Sequence, residues 1–430
     1  MPTALVLGAY GLIGSTCCRA LSKEGYHVVG LGRSHAAAMS VAPNQEWLIR
    51  DITALDTAAW RQLLRGVDVV VNAAGALQDG PEDDLEAIHV TMLERLCDAA
   101  PLRMRIVQIS AAGVSQNAST KFFRSKARGD DHIKAASCAW VILRPTLVLA
   151  PEAYGGTALL RGAAAMPGLL PEVLPGSLVQ TVHIEDLAAA VADAAGGKIA
   201  SGTIADITET DARPLPELIN KIRNWQGYPQ PRLQLRIPNK LLQLTGAAAD
   251  ITGRLGWRSP LRSTALTVLR DGVRGDPQPW ISAGGALPRD LDTTLATLPA
   301  TRQERLYARL YFALPLAIFV LSLFWIASGL VALARPALAA SVLSGSLLPG
   351  WLISATVIGG ALVDIALGLA ILWRPWCKRA AVGMIAVSGA YLTGGTLFAP
   401  NLWIDPLGPL VKVMPSIMLA LIVWLGVEDR

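Results

Sequence analysis

The sequence predicts an α/β domain with a doubly wound parallel sheet, followed by an all-helical membrane domain. In the first half, short apolar runs alternate with helical patterns, as in sheets whose parallel strands are joined by crossover helices. From about Leu310 onward charges are scarce, and no charged residue lies between Arg309 and Arg335. Because about 20 apolar residues can cross a bilayer core, this second part is expected to span a membrane.

Five short and largely apolar runs predict the buried strands of the sheet. They are Ala4–Leu7, His27–Leu31, Val67–Asn72, Arg105–Ser110 and Trp140–Leu143. Helical patterns lie between them, for example over residues 15–23 and 85–99. Residues 182–186 read as a strand end and a helix cap, with Asp186 as the capping residue. The ligand of such a sheet is expected beyond the carboxyl ends of the strands.

A glycine-rich turn follows the first strand and opens the first helix. Gly8, Gly11 and Gly14 permit a tight turn and the close approach of a pyrophosphate to the helix N-terminus, where free N–H groups and the helix dipole favour an anion. We therefore predict a pyridine nucleotide as cofactor. The residues expected to contact it here are Gly8, Ala9, Tyr10, Gly11, Leu12, Ile13 and Gly14.

The end of the second strand bears on the choice between NADP(H) and NAD(H). An acidic residue that binds the ribose 2′-hydroxyl is expected about 20 residues after the glycines, where this chain has Gly32 and Arg33. An arginine can pair with a 2′-phosphate, so NADP(H) is favoured, although a solvated surface arginine is the alternative. Further cofactor contacts are predicted at Ser34, Asp51, Ile52, Ala73, Ala74 and Gly75.

With these residues in place, the head resembles the extended or atypical short-chain dehydrogenases/reductases, which are NAD-dependent epimerase/dehydratase-like proteins. It is most similar to the branch holding the nucleotide-binding accessory subunit of respiratory complex I and the NmrA-like proteins. The residues that carry this resemblance are the glycine turn, Asp51-Ile52, Asn72–Gly75, Ser110, Ser125-Lys126, Arg144-Pro145 and Val182–Asp186. The resemblance implies a Rossmann-like fold and adds Ser110, Lys126 and Pro145 to the predicted cofactor contacts.

The chain departs from that family at the acid/base residues. The family transfers hydride with a Tyr-x-x-x-Lys pair, but the tyrosine position here is Phe122, which cannot transfer a proton. The assisting serine position is Ala112. Lys126 keeps the lysine position, so Lys126, Ser110 and His183 are the candidate catalytic residues. Ser115 and Tyr154 are alternative proton donors.

Four membrane spans are predicted, and the last part of the chain resembles the DoxX-like membrane family. The spans are Leu310–Leu333, Trp351–Trp373, Ala380–Phe398 and Pro409–Val427. Basic residues precede the first span and fill the loop between the second and third, whereas residues 399–408 contain no Lys or Arg. This distribution predicts an inner-membrane protein whose head and both termini are cytoplasmic.

We divide the chain into residues 1–150, an NAD(P)-binding Rossmann domain, residues 151–300, and residues 301–430, the four-span DoxX-like domain. Residues 151–300 are rich in Pro and Gly and are predicted to form a small α+β cap, partly interwoven with the Rossmann domain. Asp364, in the second span, is expected either to bond a neighbour such as Ser388 or Tyr391 or to serve a site for a quinone, a proton or a small molecule.

Two functions agree with these features. One is a membrane-anchored NAD(P)H-dependent oxidoreductase acting on a lipid-soluble or quinone-like substrate, and the other is a non-catalytic NADPH-binding sensor or assembly subunit. The modest net charge of +5 does not favour nucleic acid, and five cysteines without a C-x-x-C pair do not predict a metal site. The sequence leaves the oligomeric state open.

Overall fold

The computed structural model of the chain describes residues 1–80, 83–257, 259–343, 345 and 348–427. They form two compact units. The first comprises Met1–Asp250 and Ser259–Ala308, and the second comprises Ile251–Arg258 and Arg309–Arg430. The chain therefore passes into the second unit and returns before it enters that unit for the last time.

A parallel sheet of seven strands lies at the centre of the first unit. Its strands are β1 (Thr3–Leu7), β2 (His27–Gly32), β3 (Glu46–Ile49), β4 (Val69–Asn72), β5 (Arg105–Ile109), β6 (Ala139–Pro145) and β11 (Thr203–Ile207). Their order is β11-β6-β5-β4-β1-β2-β3. The order reverses between β1 and β4, and ligands of such sheets bind at this switch point. The predicted α/β fold class is confirmed.

The five predicted strands are present, and two further strands were not predicted. Both lie at the edges of the sheet, where a strand is buried on fewer sides and needs no continuous apolar run. In β3 the residues are exposed or half-buried, and β11 alternates half-buried with buried positions over most of its length. Because β11 lies within residues 151–300, the predicted cap segment contributes a strand to the large sheet.

Helices cover both faces of the sheet. One core packs Cys17 and Leu21 against Leu187 and Val191, and the other contains Trp60, Leu93 and Ile133. The helices of this part are α1 (Leu12–Lys23), α2 (His35–Val41), α3 (Thr57–Leu63), a π-helical turn (Ala87–Thr91), α4 (Met92–Ala99), α5 (Lys121–Ala135), α6 (Gly155–Ala164) and α7 (Ile184–Ala195).

Three two-stranded sheets and a separate core accompany the large sheet. In these small sheets β7 (Leu147–Leu149) pairs with β10 (Thr181–His183), β9 (Leu178–Val179) pairs with β12 (Arg213–Pro214), and β8 (Leu169–Glu172) pairs with β13 (Leu233–Arg236). The helices here are α8 (Leu215–Trp225), α9 (Asn239–Arg254), α10 (Ser263–Asp271), α11 (Gln278–Ser282), α12 (Leu291–Thr297) and α13 (Arg302–Leu310). The boundaries at residues 150 and 300 remain predictions.

The second unit is helical. It contains α14 (Ala313–Ala334), α15 (Pro336–Ser341), α16 (Gly350–Ala370), α17 (Cys377–Phe398) and α18 (Val413–Gly426), together with short 3₁₀ turns at Arg374–Trp376 and Pro400–Trp403. Within the described part of the chain, three helices are long and apolar enough to cross a membrane: Arg302–Ala334, Gly350–Ala370 and Arg374–Phe398. The fourth predicted span is a shorter apolar helix, because the chain before Val413 forms turns around Gly408.

Candidate cofactor site

The glycine turn between β1 and α1 has the shape that a nucleotide diphosphate needs. Gly8 has a φ of +69°, and a Cβ atom there would lie 2.9 Å from the Cα atom of Ala74. A Cβ atom at Gly14 would lie 2.2 Å from the carbonyl oxygen of Gly8. Gly11 caps α1 without a side chain, so the first amide N–H groups of the helix are open to an anion.

The end of β2 is shaped by Tyr10. Its ring occupies the space above Gly32, where a Cβ atom would lie 2.2 Å from the ring. A side chain at position 32 would therefore displace the Tyr10 ring, and Arg33 is the first side chain beyond the strand. The Arg33 guanidinium forms an ion pair with Asp83 at 3.0 Å, with side chains 39 % and 24 % exposed. An ion pair at such exposure contributes at most about 1 kcal/mol, so an anionic ligand can compete for Arg33.

Three other predicted contacts have local structural roles. The Ser34 hydroxyl accepts a hydrogen bond from the Ala37 amide and caps α2. The Asp51 carboxylate accepts hydrogen bonds from the amide and hydroxyl of Thr53. Ile52 is buried in the core. Contact between these residues and a cofactor remains a prediction.

The turn after β4 lies directly against the glycine turn. The Asn72 side chain donates to the Gln108 side chain at 2.8 Å and accepts from the Ala74 amide at 3.1 Å. The Ala73 amide donates to the Leu7 carbonyl at 3.1 Å. These bonds hold residues 73–75 at the carboxyl ends of β1 and β4, the neighbouring strands between which the strand order reverses.

The fold brings Gly75 and Lys126 together. A Cβ atom at Gly75 would lie 3.8 Å from the Lys126 ammonium nitrogen. Lys126 is buried, donates to the Ile109 carbonyl at 3.1 Å, and lies 5.8 Å from the centroid of the Phe122 ring. Burial lowers the pKa of Lys126, while Asp130 opposes that shift. The ammonium proton is consequently easier to transfer than that of an ordinary lysine.

His89, which the sequence analysis did not single out, lies beside Lys126 and Phe122. It sits on the π-helical turn, a feature often found at functional sites. Its Nε2 accepts from the Ala76 amide at 3.3 Å, so Nδ1 carries the proton and donates to the Ser125 hydroxyl at 2.9 Å. Burial and then Lys126 lower the pKa of His89 to about 3. A lone histidine in a helical pattern offered no sequence signal for this position.

The Ser110 hydroxyl is engaged by a buried carboxylate. It donates to Asp130 at 2.8 Å, and the Arg144 guanidinium donates to the same oxygen at 3.1 Å. Asp130 is fully buried, and burial raises its pKa against the opposing effects of Ser110 and Arg144. The neighbouring Ala112 amide donates to the Pro145 carbonyl at 2.9 Å. Ser110 is therefore oriented by Asp130, which the sequence analysis had not identified.

His183, and not the expected Asp186, caps α7. His183 is buried, and its Nδ1 accepts from the Glu185 amide at 3.1 Å, so His183 caps α7. Asp186, the expected cap, instead accepts hydrogen bonds from the Arg289 guanidinium, the shortest at 2.7 Å. Burial and then Arg289 lower the pKa of His183. Within the described residues, no hydrogen bond or ring contact joins His183 to Lys126.

The carboxylate of Asp364 is satisfied inside the second unit. Tyr391 donates to one oxygen at 2.8 Å, and Ser328 donates to the other at 3.1 Å. Tyr391 was one of the two expected partners, whereas Ser328 takes the place expected for Ser388. Because each oxygen of Asp364 accepts from a hydroxyl group of a neighbouring helix, hydrogen bonding within the helical unit accounts for this residue.

Comparisons with known proteins match one family in the first unit and another in the second. Residues 8–195 match the model of a family described as NAD(P)H-binding, and residues 322–421 match that of the DoxX-like family. Ceramide reductase of Caulobacter vibrioides is 23 % identical over 249 residues, which are 57 % of this chain and 76 % of that protein.

Solved structures share the fold of the first unit. The Bordetella bronchiseptica enzyme WbmH in complex with NAD+ is 19 % identical to this chain, with a TM-score of 0.52. The alignment covers 72 % of this chain and 98 % of the WbmH chain. MoeE5 in complex with UDP-glucose and NAD is 16 % identical with a TM-score of 0.51, covering 72 % and 99 %. The predicted resemblance is confirmed in both parts, and the chain joins an NAD(P)-binding Rossmann-like domain to a DoxX-like domain.

Proposed function

We propose that the protein is a membrane-anchored, NAD(P)H-dependent oxidoreductase that reduces a lipid-soluble carbonyl or quinone. The observation that carries this proposal is the buried Lys126 beside Gly75, at the edge of the sheet that holds the glycine turn. An anchor in a membrane would bring the chain to lipid-soluble compounds, and three described helices are long and apolar enough to supply one. The likeness to a protein named ceramide reductase supports a lipid substrate.

In this proposal the glycine turn holds the diphosphate, and Lys126 bonds the nicotinamide ribose and holds the proton that a reduced oxygen requires. The nicotinamide supplies the hydride when it is bound. Phe122 cannot donate a proton, and both ring nitrogens of His89 are engaged in hydrogen bonds. Lys126 has a lowered pKa and three N–H donors, so we propose it as the group that gives the proton to the reduced oxygen. His183, Ser115 and Tyr154 remain candidates from the sequence.

We further propose that NADP(H) is preferred over NAD(H). Gly32 stands where a carboxylate would bind a 2′-hydroxyl, the Tyr10 ring fills the space of a side chain there, and Arg33 follows. A planar guanidinium suits a phosphate. The head is proposed to lie on the cytoplasmic side of the inner membrane. Three arginines precede α14, and three basic residues lie between α16 and the first turn of α17, namely Arg374, Lys378 and Arg379.

The test is NADPH oxidation by the full chain in nanodiscs, with a panel of quinones and long-chain ketones as acceptors. We expect Lys126→Ala to lower kcat by roughly 100-fold or more, since general acid catalysis contributes about 10²–10⁴. Lys121→Ala is the matched control on the same helix, because Lys121 is exposed and pairs with Asp79. Turnover that is equal in both variants would contradict the proposed role of Lys126.

A second candidate function is a cofactor-binding sensor or assembly subunit without turnover. It is favoured by Phe122 and Ala112 and by the engagement of the Ser110 hydroxyl with Asp130. If the purified chain binds NADPH but oxidises it with no acceptor in the panel, this function replaces the first.

A further inference from the structure

One segment of the first unit exposes apolar side chains that its own core leaves uncovered. In β13, Leu233 and Leu235 are 57 % and 45 % exposed, and they share a face because strand residues alternate. In α9, Leu241 and Leu244 are 48 % and 68 % exposed. Single exposed leucines are ordinary, but four of them within residues 233–244, in one strand and the helix that follows it, favour an interaction site. We name these four leucines the β13–α9 surface.

The helix α9 is apolar on two sides. Leu242, Gly246 and Ala249 are buried, and Leu242 belongs to the core formed around α6, α8 and α12. Leu241, Leu244 and Ala248 are exposed and lie on another face, since residues at i, i+3 and i+7 share one side of a helix. A helix that is apolar on opposite sides is expected to be covered on both.

The charge of residues 230–249 is of one sign, and the acidic residue that follows them on α9, Asp250, pairs with Arg262. From residue 230 to residue 249 there are three basic residues, Arg232, Arg236 and Lys240, and no acidic residue. All three are exposed. Leucines interspersed with basic residues are typical of elements that lie at a membrane surface. A basic residue close to an anionic leaflet is attracted to its headgroups.

The last turn of α9 and the residues that follow it belong to the unit that contains the candidate membrane helices. That unit includes Ile251–Arg258, whereas α9 ends at Arg254. There the Trp257 indole donates to the Leu372 carbonyl at 2.6 Å, and the Arg374 guanidinium lies 5.4 Å from the Trp257 ring. Leu372 and Arg374 lie between the candidate spans α16 and α17. Tryptophan and arginine at a span end are typical of the membrane–water interface.

We propose that the β13–α9 surface lies on the bilayer, with its leucines inserted among the acyl chains and its basic residues against anionic headgroups. A second copy of the chain is a poorer occupant, because a two-fold contact would bring the same basic residues together without an acidic residue from this segment. This inference does not depend on the proposed oxidoreductase activity.

The test uses the full chain in vesicles of phosphatidylcholine and phosphatidylglycerol, with a nitroxide attached at Leu244→Cys. Leu102→Cys is the matched control, because Leu102 is a leucine 76 % exposed in a loop of the first unit, and the labelled wild-type chain gives the background from the native cysteines. We expect oxygen to relax the label at position 244 more effectively than a water-soluble nickel chelate, and the reverse at position 102.

Equal access of the nickel chelate to both labels would overturn the proposal. Low access of both oxygen and the chelate at position 244 would also overturn it, because protein would then cover the surface. In vesicles of phosphatidylcholine alone we expect shallower immersion, and unchanged immersion would contradict the contribution of the basic residues.

Discussion

At the scale of single residues, the candidate site is a set of buried polar groups whose pKa values are shifted by burial and by one another. His89 is neutral, since the Ala76 amide and the Ser125 hydroxyl occupy its two nitrogens. Lys126 is buried between the Ile109 carbonyl and the Phe122 ring. Phenylalanine in place of tyrosine thus removes one proton carrier while the surrounding network persists.

The ion pair between Arg33 and Asp83 yields a prediction about cofactor choice. Arg33→Asp should weaken NADPH binding by roughly 10- to 100-fold, because a hydrogen bond to a charged group contributes about 1.5–3 kcal/mol. Asp83→Asn should strengthen NADPH binding, because it removes the carboxylate that competes with the 2′-phosphate. NADH titrations by calorimetry serve as the control. Equal losses for both nucleotides in Arg33→Asp would refute the assignment of Arg33 to the 2′-phosphate.

The lowered pKa of His89 predicts how stability depends on pH. The folded-state pKa of about 3 lies below the ordinary value of 6.5, so the unfolded chain binds the proton more readily. The contribution of His89 to the free energy of unfolding is fully present above pH 6.5, and it decreases progressively as the pH falls toward 3. His89→Gln should flatten this dependence in thermal unfolding, although it lowers stability overall. His132→Gln on α5 is the control, and an unchanged slope in His89→Gln would contradict the neutral state of His89.

At the scale of elements, the sequence predicted those whose backbone must fit a confined space. It did not predict those whose position depends on residues distant in the chain. The glycine turn and the central strands follow from backbone clearance and from burial on both faces. Edge strands such as β3, and the π-helical turn that carries His89, have no distinctive local pattern. Asp186 had the residue type of a cap, but Arg289, about a hundred residues later in the chain, engages it. Such long-range partners are absent from local sequence.

The crowded position of Gly14 gives a prediction for the first βα turn. Gly14→Ala should lower both NADPH affinity and thermal stability, because its Cβ atom would lie 2.2 Å from the Gly8 carbonyl oxygen. Overpacking of this kind costs about 1–3 kcal/mol. Gly156→Ala in α6 is the matched control, as nothing lies within 4 Å of its Cβ position. A Gly14→Ala variant with wild-type affinity would show that the turn is not the diphosphate site.

At the scale of the whole molecule, a nucleotide-binding unit and a helical unit share one chain that passes between them more than once. Each unit has its own core, so damage to one should leave the other folded. The helical unit depends on polar contacts between its helices, since α14, α16 and α17 supply Ser328, Asp364 and Tyr391 to one hydrogen-bonded group.

Removing one member of that group should destabilise the helical unit selectively. Tyr391→Phe leaves an oxygen of Asp364 without its donor, and hydrogen bonds between membrane helices contribute about 0.6–1.7 kcal/mol. Thr393→Val on the same helix is the control, because the Thr393 hydroxyl donates to the Gly389 carbonyl of its own helix. Resistance to unfolding in detergent should fall for Tyr391→Phe while NADPH binding is retained. Equal resistance of the two variants would argue against a structural role for the Asp364 group.

The most direct test of the central claim is calorimetric titration of NADPH and NADH into the purified wild-type chain in nanodiscs. The account predicts saturable binding of NADPH at one site in each chain, tighter than binding of NADH. Absence of binding at millimolar nucleotide would contradict the assignment of the glycine turn, and tighter binding of NADH would contradict the proposed role of Arg33.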